Sequence, residues 1–183
     1  MRKFFIGRTI GFSIVVILIG GYFLLNHYIY TEKQGDGGFQ QDYKNVAYII
    51  DGRPVLLVDG YAEEEMATGS ASKKVTHYFG NEAYGDLNND DISDIAFLLT
   101  QDTGGSGIFY YVVAGIKTDT GYRGTNAIFL GDRIAPQTTE IRDGEIMVNY
   151  AERMDGEPMT ARPSVGVSKY LQIIDDELFE LGR

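Results

Sequence analysis

The chain has 183 residues, no cysteine, no tryptophan and two histidines, with a formal net charge of −10. Those counts exclude disulfides, thiolate metal sites and a cysteine nucleophile, and they leave little for zinc or for a histidine-based triad. Three of the 16 basic residues (Arg2, Lys3, Arg8) fall in the first 30 positions, which hold no acid, so 13 bases face all 26 acids beyond Tyr30. That net −13 repels phosphate backbones and anionic lipid head groups and argues against nucleic acid as a partner, while suiting divalent cations or basic proteins.

From Thr9 to Tyr30 run 22 residues without a formal charge, "TIGFSIVVILIGGYFLLNHYIY". As a helix they span about 33 Å, enough to cross a hydrocarbon core of about 30 Å. The end of the run, "LLNHYIYTEK", is too large and aromatic for signal-peptide cleavage, so the expectation is an uncleaved anchor. The basic residues before it leave the N-terminus in the cytoplasm and the acidic remainder outside, periplasmic or at the cell surface. The lipid bilayer is thus an expected partner, through this helix. The expected division is an anchor over 1–30, a polar, glycine-rich linker over 31–45, and an extracytoplasmic domain over 46–183.

In chain order the domain reads as strands. "VAYII-DG-RPVLLVDG" predicts a hairpin at Asp51-Gly52, a dipeptide suited to a two-residue turn with positive φ. "KVTHYF" predicts a strand in which His77 is packed or hydrogen-bonded. Ser70 and Lys73 in "GSASKK" match a serine–lysine nucleophile pair, but no S-D-N or K-T-G follows and the helical setting is missing. "TQDTGGSGIF" lacks the lysine of a phosphate loop and reads as a hairpin connection. "FYYVVAGIK", closed by "TDTGYRG", and "NAIFLGD" are further strands. Arg133 and Arg142 in "GDRIAPQTTEIR" suit salt bridges, with ligand recognition as the second use. "TTEI-RDG-EIMVNY" repeats the hairpin logic at Asp143-Gly144. In the tail, Leu171, Ile174, Leu178 and Leu181 have helical spacing, yet "LQII-DD-ELFEL" fits a hairpin, the reading adopted here. The predicted fold is all-β, an antiparallel sandwich or partly open barrel, preceded by one transmembrane helix.

Between two of these strands lies "YGDLNNDDISDIAF". Counted from Asp86, the side chains of Asp86, Asn88 and Asp90 fall at positions 1, 3 and 5. Ile92 offers a backbone carbonyl at 7, and Asp94 stands at 9. Alternate oxygen ligands of this kind coil round a hard cation that wants six to eight oxygens, so calcium is the expected ion. Position 12 is Phe97 rather than glutamate, which points to a strand-loop-strand site. Position 6, where the loop turns sharply, is Asp91 instead of glycine. A plain acidic turn is the competing reading.

Phe79-Gly80, Gly85-Asp86-Leu87-Asn88, Asp90 and Asp94-Ile95-Ala96 resemble one FG-GAP repeat, the calcium-binding unit of integrin-type β-propellers. The resemblance implies calcium ligation by Asp86, Asn88, Asp90 and Asp94. It covers about twenty residues, and no second copy appears, so it does not imply a propeller. "GSASK", "YFGNEAYGDLN", "GTNAIFLGDRIAPQTTEI" and "PSVGVSKY" further resemble a group of small bacterial envelope proteins, a likeness that brings no activity with it. Three functions are therefore carried forward. The first is a non-catalytic, membrane-tethered β-module with a structural calcium ion. The second is an acidic binder or inhibitor of a basic envelope protein, and the third a carboxylate-dependent hydrolase.

Overall fold

The two aspartate–glycine dipeptides expected to turn hairpins do so. In the computed structural model, which describes residues 42–66 and 72–182, Asp51 and Gly52 take φ of 50° and 74°, and Asp143 and Gly144 take 51° and 77°. The first turn joins β1 (Ala47–Ile50) to β2 (Arg53–Leu56), and the second joins β9 (Ala135–Arg142) to β10 (Glu145–Glu152). The tail is a hairpin too: Asp175 and Asp176, with φ of 48° and 70°, link β11 (Val165–Ile174) to β12 (Glu177–Glu180). Short polar side chains tolerate the left-handed region better than others, which lets two aspartates make this turn without glycine.

The remaining strands are β3 (Tyr61–Glu65), β4 (Lys73–Gly85), β5 (Asp94–Asp102), β6 (Ile108–Thr118), β7 (Gly121–Gly124) and β8 (Ile128–Asp132). Every strand pairing is antiparallel. β1 and β2 form a ribbon. A second sheet runs β12-β11-β10-β9, and a third runs β3-β4-β5-β6-β7 with β8 also on β6. Among the described residues there is no α-helix, only a 3-10 turn over Tyr43–Asn45. The predicted span Thr9–Tyr30, and Ser70, lie outside the described residues.

The core explains why "IAFLL" and "YVVAGI" do not alternate: β5 and β6 are buried on both faces. On one face Ile95, Phe97, Leu99, Tyr111 and Val113 pack against Tyr48, Ile50, Val55 and Leu57 of the ribbon. On the other, Ala96, Leu98, Val112, Ala114 and Ile116 pack with Ile146, Val148, Tyr150, Leu171 and Leu178 of the four-stranded sheet. The domain therefore has three layers, with a continuous apolar sheet in the middle. Its folded part begins a little before the expected Val46. The ring of Tyr43 packs 5.4 Å from that of Phe97, and the Gly60 N–H donates to the Lys44 carbonyl at 2.9 Å.

Two side chains tie the layers at their margins. Asn126 sits after β7 and acts as a piece of strand, its amide donating to the Leu178 carbonyl at 2.9 Å and accepting from the Leu178 N–H at 2.6 Å. The backbone beside it serves the ribbon, with Ile49 N–H donating to Thr125 O at 3.0 Å and Ala127 N–H to Ile49 O at 2.7 Å. At the opposite margin Asn81 donates to the Thr139 hydroxyl at 3.1 Å. Arg133 and Arg142 make salt bridges with Asp132 and Glu140, as their positions in an acidic domain suggest.

Candidate metal centre

The acidic stretch is the connection between β4 and β5, a loop set between two strands. Leu87, its second position, is buried in the core between the two larger sheets, which pins the start of the loop. Asp94 opens β5 and is fully buried, which pins its end. Asn88 to Ser93 are exposed between these fixed points.

Asp86 organises the first half. Its Oδ1 accepts the N–H groups of Asn89 at 2.7 Å and Asp90 at 3.2 Å, and its Oδ2 accepts that of Asp91 at 2.9 Å. Burial works against ionisation of this carboxyl, but the N–H groups of Asp91, Asp90, Asn89 and Asn88 outweigh it and hold the group below the ordinary aspartate range. Asn88 and Asp90 face one another: the Asn88 amide donates to Asp90 Oδ2 at 2.8 Å, and Asp90 N–H donates to Asn88 Oδ1 at 3.2 Å. Asp90 Oδ1 accepts the Ile92 N–H at 2.8 Å. Asn89 and Asp91 both take left-handed φ, 61° and 64°, so the sharp turn at the sixth position is made by an aspartate.

Asp94 closes the loop from inside the domain. Its Oδ2 accepts the Leu87 N–H at 2.9 Å, and its Oδ1 accepts the Lys117 N–H of β6 at 2.8 Å. Burial pushes this carboxyl above the ordinary aspartate range against the pull of those N–H groups, and the charges of Asp90 and Asp86 push the same way. No three or more His, Cys, Asp or Glu side chains among the described residues come together in an arrangement that could hold a metal ion. The predicted ligands are brought onto one loop in register, with their oxygens turned to backbone N–H groups. Donor chemistry and spacing fit a hard cation, and the hydrogen bonds close the loop by themselves.

A second polar cluster is not legible in the sequence, because Tyr43 and Lys44 stand about forty positions before the other members. Glu82 of β4 accepts the hydroxyls of Tyr43 at 2.7 Å and Tyr78 through Oε1, and that of Tyr84 at 2.9 Å through Oε2. The Lys44 ammonium stands 4.0 Å from Glu82 and 3.8 Å from the centre of the Tyr78 ring. The cluster fastens residues 43–44 onto β4. Burial opposes the charge on Glu82, but the hydroxyls of Tyr78, Tyr43 and Tyr84 and the charge of Lys44 prevail and hold its carboxyl below the usual 4.5. Burial and the Glu82 carboxylate push the Tyr78 hydroxyl up to about 12, so it remains a donor at neutral pH.

A carboxylate lowered in the folded state stabilises the fold above its unfolded value and loses that contribution as pH falls through the folded value. Glu82→Gln should therefore be less stable than wild type at about pH 7, with the gap closing toward about pH 3. Urea midpoints at the two pH values check this, and a gap that is equal at both would mean that the Glu82 charge is not used.

The remaining candidates are weaker. His77 lies on β4 with its ring 5.0 Å from that of Tyr61, a packed strand histidine. Lys73 pairs with Glu63. Asp143 and Glu145 line a shallow groove of about 380 Å³ with Arg142, Met147 and Tyr170. No family model, curated protein or solved structure matches the chain.

Proposed function

We propose that the chain is a membrane-tethered extracytoplasmic β-module whose β4–β5 loop holds a structural calcium ion, and that it serves binding or envelope architecture rather than catalysis. The observation that carries the reading is the loop itself. Oxygen side chains stand at positions 1, 3, 5 and 9 of a loop pinned by buried Leu87 and ended by buried Asp94, whose charge is disfavoured by those of Asp90 and Asp86. Asp86, Asn88, Asp90, Asp94 and the Ile92 carbonyl would hold the ion. When bound, calcium supplies positive charge that offsets this repulsion. The protein's own contribution is to fix both ends of the loop on the core while the middle stays at the surface. The likeness to a single FG-GAP repeat points the same way.

The tether rests on the uncharged run Thr9–Tyr30 and its basic N-terminal flank. Among the described residues no helix is long and apolar enough to cross a membrane. The full chain should resist carbonate extraction from membranes with its C-terminus open to protease added outside; a soluble product beginning near residue 31 would refute the tether. Melting in calcium and in chelator tests the ion.

A further inference from the structure

The β1–β2 ribbon is apolar on both faces, although only one of them meets the core. Tyr48, Ile50, Val55 and Leu57 point inward. The other side of the ribbon carries Ala47, Ile49, Pro54 and Leu56, with register partners Ala47↔Leu56 and Ile49↔Pro54, and Val58 follows. Ile49, Leu56 and Val58 are 38 %, 58 % and 60 % exposed. A two-stranded ribbon on the surface of an acidic domain normally turns polar residues outward. Here the outward residues between Arg53 and Asp59, namely Pro54, Leu56 and Val58, are all apolar, so this face is built to be covered.

We propose that this face rests on the surface of the lipid bilayer, so that the domain is held by its outer ribbon as well as by its anchor. The inference builds on the membrane tether proposed above. β1 is the first strand after the predicted span, and the eleven residues between Tyr30 and Asp42, where the described residues begin, can reach at most about 39 Å. A leash of that length leaves the ribbon within reach of the bilayer surface. Its borders have interfacial chemistry. A groove of about 540 Å³ continues from Ala47 and Leu56 to Tyr122 and Arg123, and the Lys117 ammonium lies 4.4 Å from the centre of the Tyr122 ring. An aromatic ring beside long cationic side chains suits the headgroup layer. The charges round the face are mixed, Arg53 and Arg123 against Asp51, Asp59 and Asp176, with Arg123 paired to Asp176 at 2.5 Å. This face can therefore approach a zwitterionic surface from which the acids elsewhere are not excluded by strong repulsion. A second copy is a poorer occupant, because three large side chains fall well short of the area of a stable interface.

The absence of tryptophan gives a clean test. The full chain is reconstituted into phosphatidylcholine vesicles with plain or brominated acyl chains, carrying Leu56→Trp, Val58→Trp or, as a control on the far sheet, Ser168→Trp. Ser168 is exposed on β11, on the side away from the ribbon. Contact with the acyl boundary should lower the emission of the first two by roughly half in brominated vesicles and leave the third unchanged. If the chain floats with vesicles but all three emit equally in both lipids, the ribbon faces water and the proposal falls while the tether stands. Blue-shifted emission at positions 56 and 58 that bromine does not quench would assign the face to protein, a second copy or a partner, and also overturn it. A chain that does not float at all removes the tether and the docking together.

Discussion

Gly124→Ala is expected to destabilise the domain by about 3 kcal/mol, a large loss for one methyl group. The reason is space alone. A Cβ at position 124 would lie 2.2 Å from the Ala47 carbonyl oxygen and 2.8 and 2.9 Å from two ring carbons of Tyr48. The tyrosine cannot swing aside, because it is fully buried and its hydroxyl donates to the Tyr43 carbonyl at 2.7 Å. Nor can the carbonyl retreat easily, since the ribbon is tied to Thr125 and Ala127 through Ile49. The ribbon would have to lift from β7 and uncover the core beneath it. A fall of roughly 10 °C in Tm corresponds to that loss in a domain of this size. Gly52→Ala is the comparison: nothing lies within 4 Å of its Cβ, but φ is 74°, so a backbone cost of about 1 kcal/mol is expected. Should Gly124→Ala melt no lower than Gly52→Ala, the ribbon is not seated as described.

That pair of glycines also marks what a sequence can and cannot disclose. Gly52 follows an aspartate between two apolar runs, and its turn was readable because a two-residue hairpin demands positive φ at that place. Asp143-Gly144 was readable for the same reason, and the tail reads as a hairpin, despite the helical spacing of its apolar residues, because the strands before it need a covered edge. Gly124 carried no such sign, because its constraint comes from Ala47 and Tyr48, more than seventy positions earlier. Asn126 was equally silent: a side chain that pairs with the backbone of Leu178 looks in sequence like any loop asparagine. The unbroken apolar runs of β5 and β6 were visible, but a third layer was not inferred from them. The acidic loop was the most legible feature of the candidate site. Its register and the strained sixth position were both evident, whereas the burial of Asp94 and its bond to Lys117 depend on β6 packing beside β5. Glu82 was not singled out, since Tyr43 and Lys44 join Tyr78 and Tyr84 round it only when residues 43–44 pack on β4.

Substitutions at two aspartates of that loop should differ in what they cost without calcium. In wild type, a site half-filled at about 10 μM gains about 2.7 kcal/mol in millimolar calcium, a rise of roughly 8 °C in Tm for a domain of this size. Asp90 is exposed, and its bonds are to the Ile92 N–H and to Asn88, within the loop. Asp90→Ala should therefore melt close to wild type in chelator and lose the calcium response. Asp94 differs because both its oxygens are accepting from backbone N–H groups inside the domain. In Asp94→Asn the amide must turn its own N–H toward that of Leu87 or of Lys117, leaving a buried donor unmet at a cost of about 2 kcal/mol even without calcium. Asp91→Gly removes the side chain that is held at φ of 64° and touches no predicted ligand, so it should keep the calcium response. Differential scanning calorimetry of the four proteins in calcium and in chelator separates these effects. If wild type melts at the same temperature in both, the loop is a hydrogen-bonded turn held by Asp86 and Asp94.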